Sequence, residues 1–335
     1  MATLHGIDPV REGKQAGHIA IPYSAHRSAY GRIVLPLVWI RNGPGPAALL
    51  TAGVHGDEFE GQITLRNLAR TLLPEKVRGG LLILPMANPP AVAVSSRLSP
   101  IDDLNLNRVF PGDGLGTPTR AIAAAIEELL LPICDYAFDI HSGGSSLLYD
   151  ALAVTTETGD ASADAQRRAL LEALGLEAGV LLPAQGAMGL SASLDGAMLR
   201  RGVVGVSAEF GGAGVLSSQA TRQCERSLRR FLAHIGSLPQ EGTEQEPAPP
   251  FRLYSIAADG AHVHAEQSGL LALAVAVGAH VAVGDVLGWI HDLHDPLRAP
   301  APVLATLAGR ILCLRALPLI EIGDCIAQIG QRRRP

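Results

Sequence analysis

The chain has 335 residues, 47% of them hydrophobic but only 4% aromatic, with 27 Lys and Arg against 32 Asp and Glu for a net charge of −5. That is long enough for a large catalytic domain plus a small appended one, and apolar enough for a core of Leu, Val, Ile and Ala. Lysine occurs only at Lys14 and Lys76 and no basic stripe with interleaved aromatics is present, so nucleic acid is not an expected partner.

Met1 to Gly17 carries charges and no apolar stretch, and does not read as a secretory signal. Arg32 to Ile40 and Pro46 to Val54 read as strands, and Glu60 to Leu73 has helical spacing. Gly80 to Met86 is a continuous apolar run, as expected of a strand covered on both faces. Asn88 to Gly112 (NPPAVAVSSRLSPIDDLNLNRVFPG) is long, irregular and polar. Pro118 to Leu131 reads as a helix, Tyr136 to Ile140 as a strand ending at His141, Ala163 to Leu174 as a helix, Gly202 to Glu209 as a strand and Ser217 to Ile235 as an amphipathic helix. This alternation predicts an α/β domain with a largely parallel or mixed sheet and helices on both faces.

Glu241 to Pro250 (EGTEQEPAPP) is acidic and Pro-rich and reads as a linker, which divides the chain into a domain over 1–240 and a second over 251–335. The second shows short β-type runs separated by glycines: Gly269 to Val277, His280 to Val283, Val286 to His291, Gly309 to Leu314 and Cys325 to Ile329. Two turns of the form V/I-x-x-G-D, at Gly284-Asp285 and Gly323-Asp324, lie 39 residues apart and suggest two similar β halves in a small sandwich or barrel. The apolar window Gly269 to Ile290 is broken by His280, Asp285 and glycines and does not read as a membrane span. Arg332 to Arg334 reads as a solvated charge run. Cys134, Cys224, Cys313 and Cys325 form no C-x-x-C pair and read as reduced thiols of a cytoplasmic protein.

The strongest chemical signal is His55-Gly56-Asp57-Glu58, directly after a strand and before a helix. Ligands bind at the carboxyl ends of strands in α/β sheets, and an imidazole and a carboxylate three residues apart on a turn can reach one small cation. Asp57 is expected to point away. A catalytic zinc typically keeps three protein ligands, and His141, at another strand end before Ser142-Gly143-Gly144, supplies the third. Glu209 closes a further apolar strand and reads either as a satisfied buried acid or as the general base for an activated water. Arg97, Asn107 and Arg108 offer donors for a substrate carboxylate and a developing oxyanion. Asp139 is either an ordinary strand-end carboxylate or an acceptor that orients a ligand imidazole, with His55 the expected one. His262, His264, His291 and His294 read as a surface group rather than a second metal site.

GVHGDEFEG, NPPAVAVSSRLSPIDDLNLNRVFPG, DIHSGG and AEFGG, in this order, resemble the succinylglutamate desuccinylase/aspartoacylase family of zinc hydrolases, which is similar to the zinc carboxypeptidases. The likeness runs over residues 30 to 235. It implies one Zn2+ per chain on His55, Glu58 and His141, Glu209 as catalytic carboxylate, Arg97 supporting the oxyanion, and Asn107 and Arg108 holding a substrate carboxylate. It also implies a carboxypeptidase-like α/β/α core with a mixed eight-stranded sheet followed by a small β domain. Within the family the RLSPID, NLNRVFPG and DIHSGG phrasing resembles the ectoine-degradation branch of N-acetyl-2,4-diaminobutyrate deacetylases. Phe210 stands where Leu is expected before the glycines, and is expected to reshape the pocket. The tail resembles a biotinyl/lipoyl-type barrel sandwich but holds no lysine to modify, so it is expected to shield the site or to mediate assembly into a homo-oligomer.

The implied reaction is hydrolysis of the amide of a small N-acyl amino acid, with no membrane partner. The alternatives are a zinc carboxypeptidase or amidase acting on short peptides, deacylation of an acidic amino acid, and a non-enzymatic metal protein with a closed ligand shell.

Overall fold

The computed structural model describes residues 2–183, 190–239 and 247–333. Its frame is a mixed sheet built from β1 (Thr3–His5), β2 (Gly13–Pro22), β3 (Arg32–Asn42), β4 (Ala47–Ala52), β5 (Gly79–Leu84), β6 (Tyr136–His141), β7 (Leu147–Thr156), β8 (Ala178–Leu182) and β9 (Val204–Gly212), in the spatial order β1-β2-β3-β5-β4-β6-β9-β7-β8. The central strands β5, β4, β6 and β9 run parallel, so their carboxyl ends open on one edge of the sheet. β4, β5 and β6 are buried along most of their length, which is why they read as unbroken apolar runs.

Helices cover both faces. On one lie α1 (Glu60–Thr71), α4 (Ala161–Ala173) and α6 (Ser218–His234), packed through Leu65, Leu171 and Phe231 onto Leu50, Phe138 and Val206. On the other lie α3 (Pro118–Ala125) and α5 (Leu194–Arg200), whose Ile122 and Met198 meet Leu49, Leu82 and Ala137. The fold is thus the α/β/α core expected from the alternation. α4, α5 and α6 start on side-chain caps, where Asp160, Ser193 and Ser217 accept the backbone N–H groups of Ala163, Gly196 and Ala220. The predicted 118–131 helix holds α-geometry only to Ala125, then widens into a π turn over Ile126–Leu130 and tightens at Leu131–Ile133, where Pro132 has no N–H to donate. The irregular 88–112 stretch contains one short helix, α2 (Pro89–Ala93), and a 3-10 turn at Leu106–Arg108.

The tail adds β10 (Arg252–Ser255), β11 (His262–His264), β12 (Gly269–Leu273), β13 (His280–Val281), β14 (Val286–His291), β15 (Ala301–Leu304), β16 (Gly309–Arg315), β17 (Leu319–Ile320) and β18 (Cys325–Arg332). A four-stranded sheet in the order β15-β14-β12-β17 packs over β11, β13, β16 and β18 through Leu271, Leu287, Ile290, Ile311 and Ile326, giving the small β sandwich. The internal repeat is visible in its turns. Gly284 and Gly323 have φ of +87° and +90°, and the following Asp285 and Asp324 accept the N–H groups of Ala282 and Glu321 at 2.7 and 2.9 Å.

The tail is joined to the core by strand pairing that sequence order does not announce. β10 pairs parallel to β8, and β16 pairs antiparallel to β7 with Cys313 opposite Tyr149, so the core sheet continues into the tail for 14 strands. Residues 240–246, on which most of the expected linker falls, lie outside the described residues. The terminal arginines are not merely solvated: Arg332 belongs to β18, and Arg333 contacts Glu157 at 2.8 Å and donates its backbone N–H to Leu253. Arg334 is outside the described residues.

Candidate active site

Three side chains converge at the carboxyl edge of the parallel strands. His55 follows β4, Glu58 precedes α1 and His141 ends β6. Their ligand atoms all lie within 4.8 Å of one another. Glu58 bridges the rings, with Oε1 2.7 Å from His55 Nδ1 and Oε2 2.8 Å from His141 Nδ1. The turn that carries His55 and Glu58 is pressed against α2: a Cβ on Gly56 would stand 2.1 Å from the Ala91 carbonyl, so only glycine fits there. Asp57 points away, accepting the N–H and hydroxyl of Ser145 at 2.7 and 2.8 Å and so anchoring the loop after His141. In that loop Gly143 serves a close backbone packing, since a Cβ would lie 2.1 Å from the Leu147 carbonyl, rather than the substrate access suggested by the sequence.

The distal nitrogens of both rings face pure acceptors. His141 Nε2 is 2.7 Å from Asp139 Oδ2, and Thr51 donates to Oδ1 of the same carboxylate at 2.6 Å. Asp139 therefore orients His141 and not His55, as its place two residues earlier on the same strand face dictates. His55 Nε2 is 3.1 Å from Asn105 Oδ1. With the ring protons drawn to Nε2, both Nδ1 lone pairs are directed to one point, together with the Glu58 carboxylate. Two imidazoles and one carboxylate suit a zinc-type cation with an open position.

Burial pushes the Glu58 carboxyl up, but the two histidines override it and hold it below the usual carboxylate range. Burial favours neutral imidazole at both rings. It prevails at His55, whose pKa is lowered, while at His141 the Asp139 and Glu58 carboxylates outweigh it and raise the pKa well above 6.5. In the cation-free chain the proton of this pair thus rests on His141.

Glu209 lies opposite His141 in the β6–β9 register. Burial pushes its carboxyl up to about 8, and its Oε2 is buried without a protein partner among the described residues. An unpaired, proton-holding carboxyl beside three ligand atoms fits a centre that handles a water molecule. Arg97 Nη1 lies 3.7 Å from Glu58 Oε1 and 3.4 Å from His55 Nδ1, with the side chain 46% exposed. Asn107 Oδ1 accepts the Leu194 N–H at 2.8 Å, leaving its amide N–H groups as the free end. Arg108 Nη1 donates to the Asn107 carbonyl at 2.7 Å.

His55, Glu58, His141 and Glu209 line one cleft of about 330 Å³ with Arg97, Asn107 and Arg108, whereas Asp139 does not reach it. The sequence reading missed Asn105, Thr51 and Asp195, and also Ile256 and Gln328, by which the tail reaches the cleft wall. Phe210 does not reshape it. Next to Glu209 on β9, it faces the other side and is fully buried in the core under α1 and α6. Gln328 is 2.9 Å from His262 Nε2, and His55, Glu58 and His141 form the single group of metal-ligating side chains among the described residues, so the tail histidines make no second centre.

A mixed α/β/α sheet that gathers two imidazoles, a carboxylate and a free carboxyl beside its parallel strand ends places the groups of a hydrolytic centre on a carboxypeptidase-like core. Residues 44–235 match the succinylglutamate desuccinylase/aspartoacylase catalytic domain. The chain is 36% identical over 327 residues, 97% of its own length and 94% of the relative's, to the N-alpha-acetyl-L-2,4-diaminobutyric acid deacetylase of Halomonas elongata. The product-bound structure of the ectoine utilization protein EutE (DoeB) from Ruegeria pomeroyi superposes with a TM-score of 0.92 at 36% identity, covering 98% of each chain. A succinylglutamate desuccinylase/aspartoacylase from Rhodobacter sphaeroides does so with 0.90 at 33% identity, again over 98% of each. The chain belongs to the succinylglutamate desuccinylase/aspartoacylase family and is an amide hydrolase.

Proposed function

We propose that the chain is a zinc-dependent deacetylase of an N-acetyl diamino acid such as N-acetyl-2,4-diaminobutyrate, acting in ectoine breakdown. The observation that carries it is the convergence of His55, Glu58 and His141 beside the unpartnered Glu209 Oε2, in a chain 36% identical to the Halomonas deacetylase. One zinc ion on those three side chains would supply the Lewis acid that polarises the acyl carbonyl and makes water acidic enough to react at neutral pH. Glu209, whose carboxyl the charge of that ion would bring down from about 8 to its ionised form, takes the proton of the attacking water and delivers it to the departing amine nitrogen. Arg97, at the rim beside Glu58, faces the oxygen on which negative charge develops. Arg108 and the free amide of Asn107 hold the substrate carboxylate, which fixes the acyl group for attack.

A cleft of about 330 Å³ is at the small end for ligand sites and suits a single acylated amino acid better than a peptide. No helix among the described residues is long and apolar enough to cross a membrane. Four free cysteines support a cytoplasmic setting. The outer face of the tail sheet, with Leu270, Trp289, Leu304 and Leu319 exposed, supports a homo-oligomer, which sedimentation would reveal.

The test is a hydrolysis panel of N-acetyl-2,4-diaminobutyrate, N-acetylaspartate, N-succinylglutamate and short peptides, with and without chelator. The expected outcome is chelator-sensitive turnover led by the acetylated diamino acid. Chelator-insensitive activity, or a preference for peptides, overturns the reading.

A further inference from the structure

One acidic side chain in the cleft has no part in the mechanism above. Asp195 stands in the first turn of α5, and its Oδ1 accepts the Ser207 hydroxyl at 2.7 Å. It lines the cleft with Asn107, Arg108, Ser193 and Glu209. No ion pair within 4.0 Å reaches it among the described residues. The nearby guanidiniums are committed elsewhere: Arg167 to the carbonyls of Val203 and Gly205 at 3.0 and 3.3 Å, Arg108 to that of Asn107. Burial, with the Asp139 carboxylate beside it, raises the Asp195 pKa above the ordinary carboxylate value. His141, Arg167 and Arg108 pull on it only from beyond ion-pair distance, so a cation that arrives with the ligand would be its first direct ionic partner.

Its position fixes where that cation would sit. Ser207 is two residues before Glu209 on β9, a step of about 7 Å away from the reacting centre. Between them β7 presents Leu152 and Val154, opposite Glu209 and Ser207 in the register, and β8 adds Val180. The cleft therefore runs from the proposed metal ligands past a short apolar wall to a carboxylate that has no ion pair within 4.0 Å among the described residues, with Arg108 and Asn107 at its side. That sequence of surfaces matches a molecule with an acyl nitrogen, a carboxylate and a short alkyl stem ending in an ammonium group.

We propose that Asp195 is the specificity-determining acceptor for an ammonium at the end of the substrate's side chain, so that the cleft selects N-acylated diamino acids over neutral and acidic ones. This rests on the deacylase reading above. A charge-assisted hydrogen bond in a desolvated site discriminates about 10- to 100-fold against a partner that lacks the charge.

The experiment compares kcat and KM on N-α-acetyl-L-2,4-diaminobutyrate and on N-acetyl-L-norvaline, which replaces the ammonium by a methyl group of similar size. The wild type is expected to prefer the ammonium substrate about 10- to 100-fold. Asp195→Asn should erase that preference through a raised KM, leaving norvaline turnover, metal content and thermal midpoint nearly unchanged. Asp195→Ser gives the same reading if the asparagine variant does not fold, and calorimetric binding of free 2,4-diaminobutyrate should weaken in step. Turnover of both substrates without preference, or an equal loss on both in the variants, overturns the proposal alone. Absence of turnover on every N-acyl amino acid overturns the deacylase reading, and the role of Asp195 falls with it.

Discussion

Asn105 Oδ1 lies 3.1 Å from His55 Nε2 and at the same time accepts the backbone N–H of Asn107 at 2.8 Å. The second contact fixes which end of the amide is oxygen, since a backbone N–H can only donate. The first then holds the His55 proton on Nε2 and leaves Nδ1 bare toward Glu58. Asn105→Ala should weaken metal binding about 10- to 100-fold, as loss of such orienting partners does, while Asn105→Asp, which keeps an acceptor there, should retain most of the affinity. Competition against a graded series of chelators reads this directly, and equal affinity in all three proteins would remove Asn105 from the site.

The protonation of the cation-free site gives a pH prediction. Glu209 titrates near 4.5 when unfolded and about 8 in the fold. Between those values the native chain holds a proton that the unfolded chain has released, so stability falls as pH rises from 4.5 to about 8 and is level above it. His141, raised above 6.5 by Asp139 and Glu58 against the pull of burial, adds a loss of the same sign that begins near 6.5. His55, its pKa lowered by burial, works the other way and adds stability as pH rises to 6.5. Urea midpoints of chelated protein should therefore change little from pH 5 to 6.5 and decline from 6.5 to about 8. Glu209→Gln should turn the first stretch into a rise and make the decline shallower. A curve that rises from pH 6.5 to 8 contradicts both assignments.

Metal loading acts on the same proton. A cation that takes His141 Nδ1 displaces the proton held there against Glu58 Oε2, 2.8 Å away. Binding near neutral pH should release about one proton per site, visible as a dependence of the calorimetric heat on buffer ionisation enthalpy. Asp139→Asn, which lowers the His141 pKa, should reduce that release.

What the sequence revealed and what it hid divide along the range of the contacts. The His55–Glu58 turn is local, three residues long and flanked by a strand and a helix, so it can be read directly. His141 and Glu209 are legible because each follows an apolar run just before a pair of glycines, and neighbouring parallel strands set them side by side, although β9 runs on past Glu209 to Gly212. Asn105 and Asp195 are not, because a loop and the first turn of α5 bring them to His55 and Ser207 from elsewhere in the chain. Two readings failed against the period of two along a strand. Asp139 shares a face with His141, so it serves that ring, and Phe210 must face away from the cleft that Glu209 lines. β7 escaped notice because Tyr149, Asp150 and the paired threonines interrupt its apolar pattern, and β8 because its apolar run, Ala178–Leu182, is short. Their pairing with β16 and β10 carries the core sheet into the tail.

That junction is clamped by Arg310, whose side chain is 7% exposed and reaches Asp150 at 2.6 Å and Glu177 at 2.7 Å. Removing one partner of a fully buried pair costs about 3–5 kcal/mol, and because both acids here are about a third exposed the expected loss for Arg310→Met is about 2 kcal/mol. Denaturant unfolding should show it, with the His55, Glu58 and His141 site still binding metal. A loss below about 0.5 kcal/mol, the range of an ordinary surface change, would mean that strand pairing alone holds the tail.

Glu209→Gln tests the chemistry itself. Glutamine keeps the size and the acceptor oxygen of the side chain but cannot take a proton, so it separates base catalysis from packing. The three ligand atoms belong to other residues, so metal stoichiometry should be unchanged. General base catalysis contributes about 10²- to 10⁴-fold, and kcat should fall by that factor with KM little altered, because the proposed substrate-holding residues Arg108 and Asn107 are unchanged. A variant that keeps more than about a tenth of wild-type turnover would place the base elsewhere. Tyr149 is no candidate for it: its hydroxyl is held well above its ordinary pKa by burial, beside Cys313 and Glu209, and cannot accept a proton from water at neutral pH.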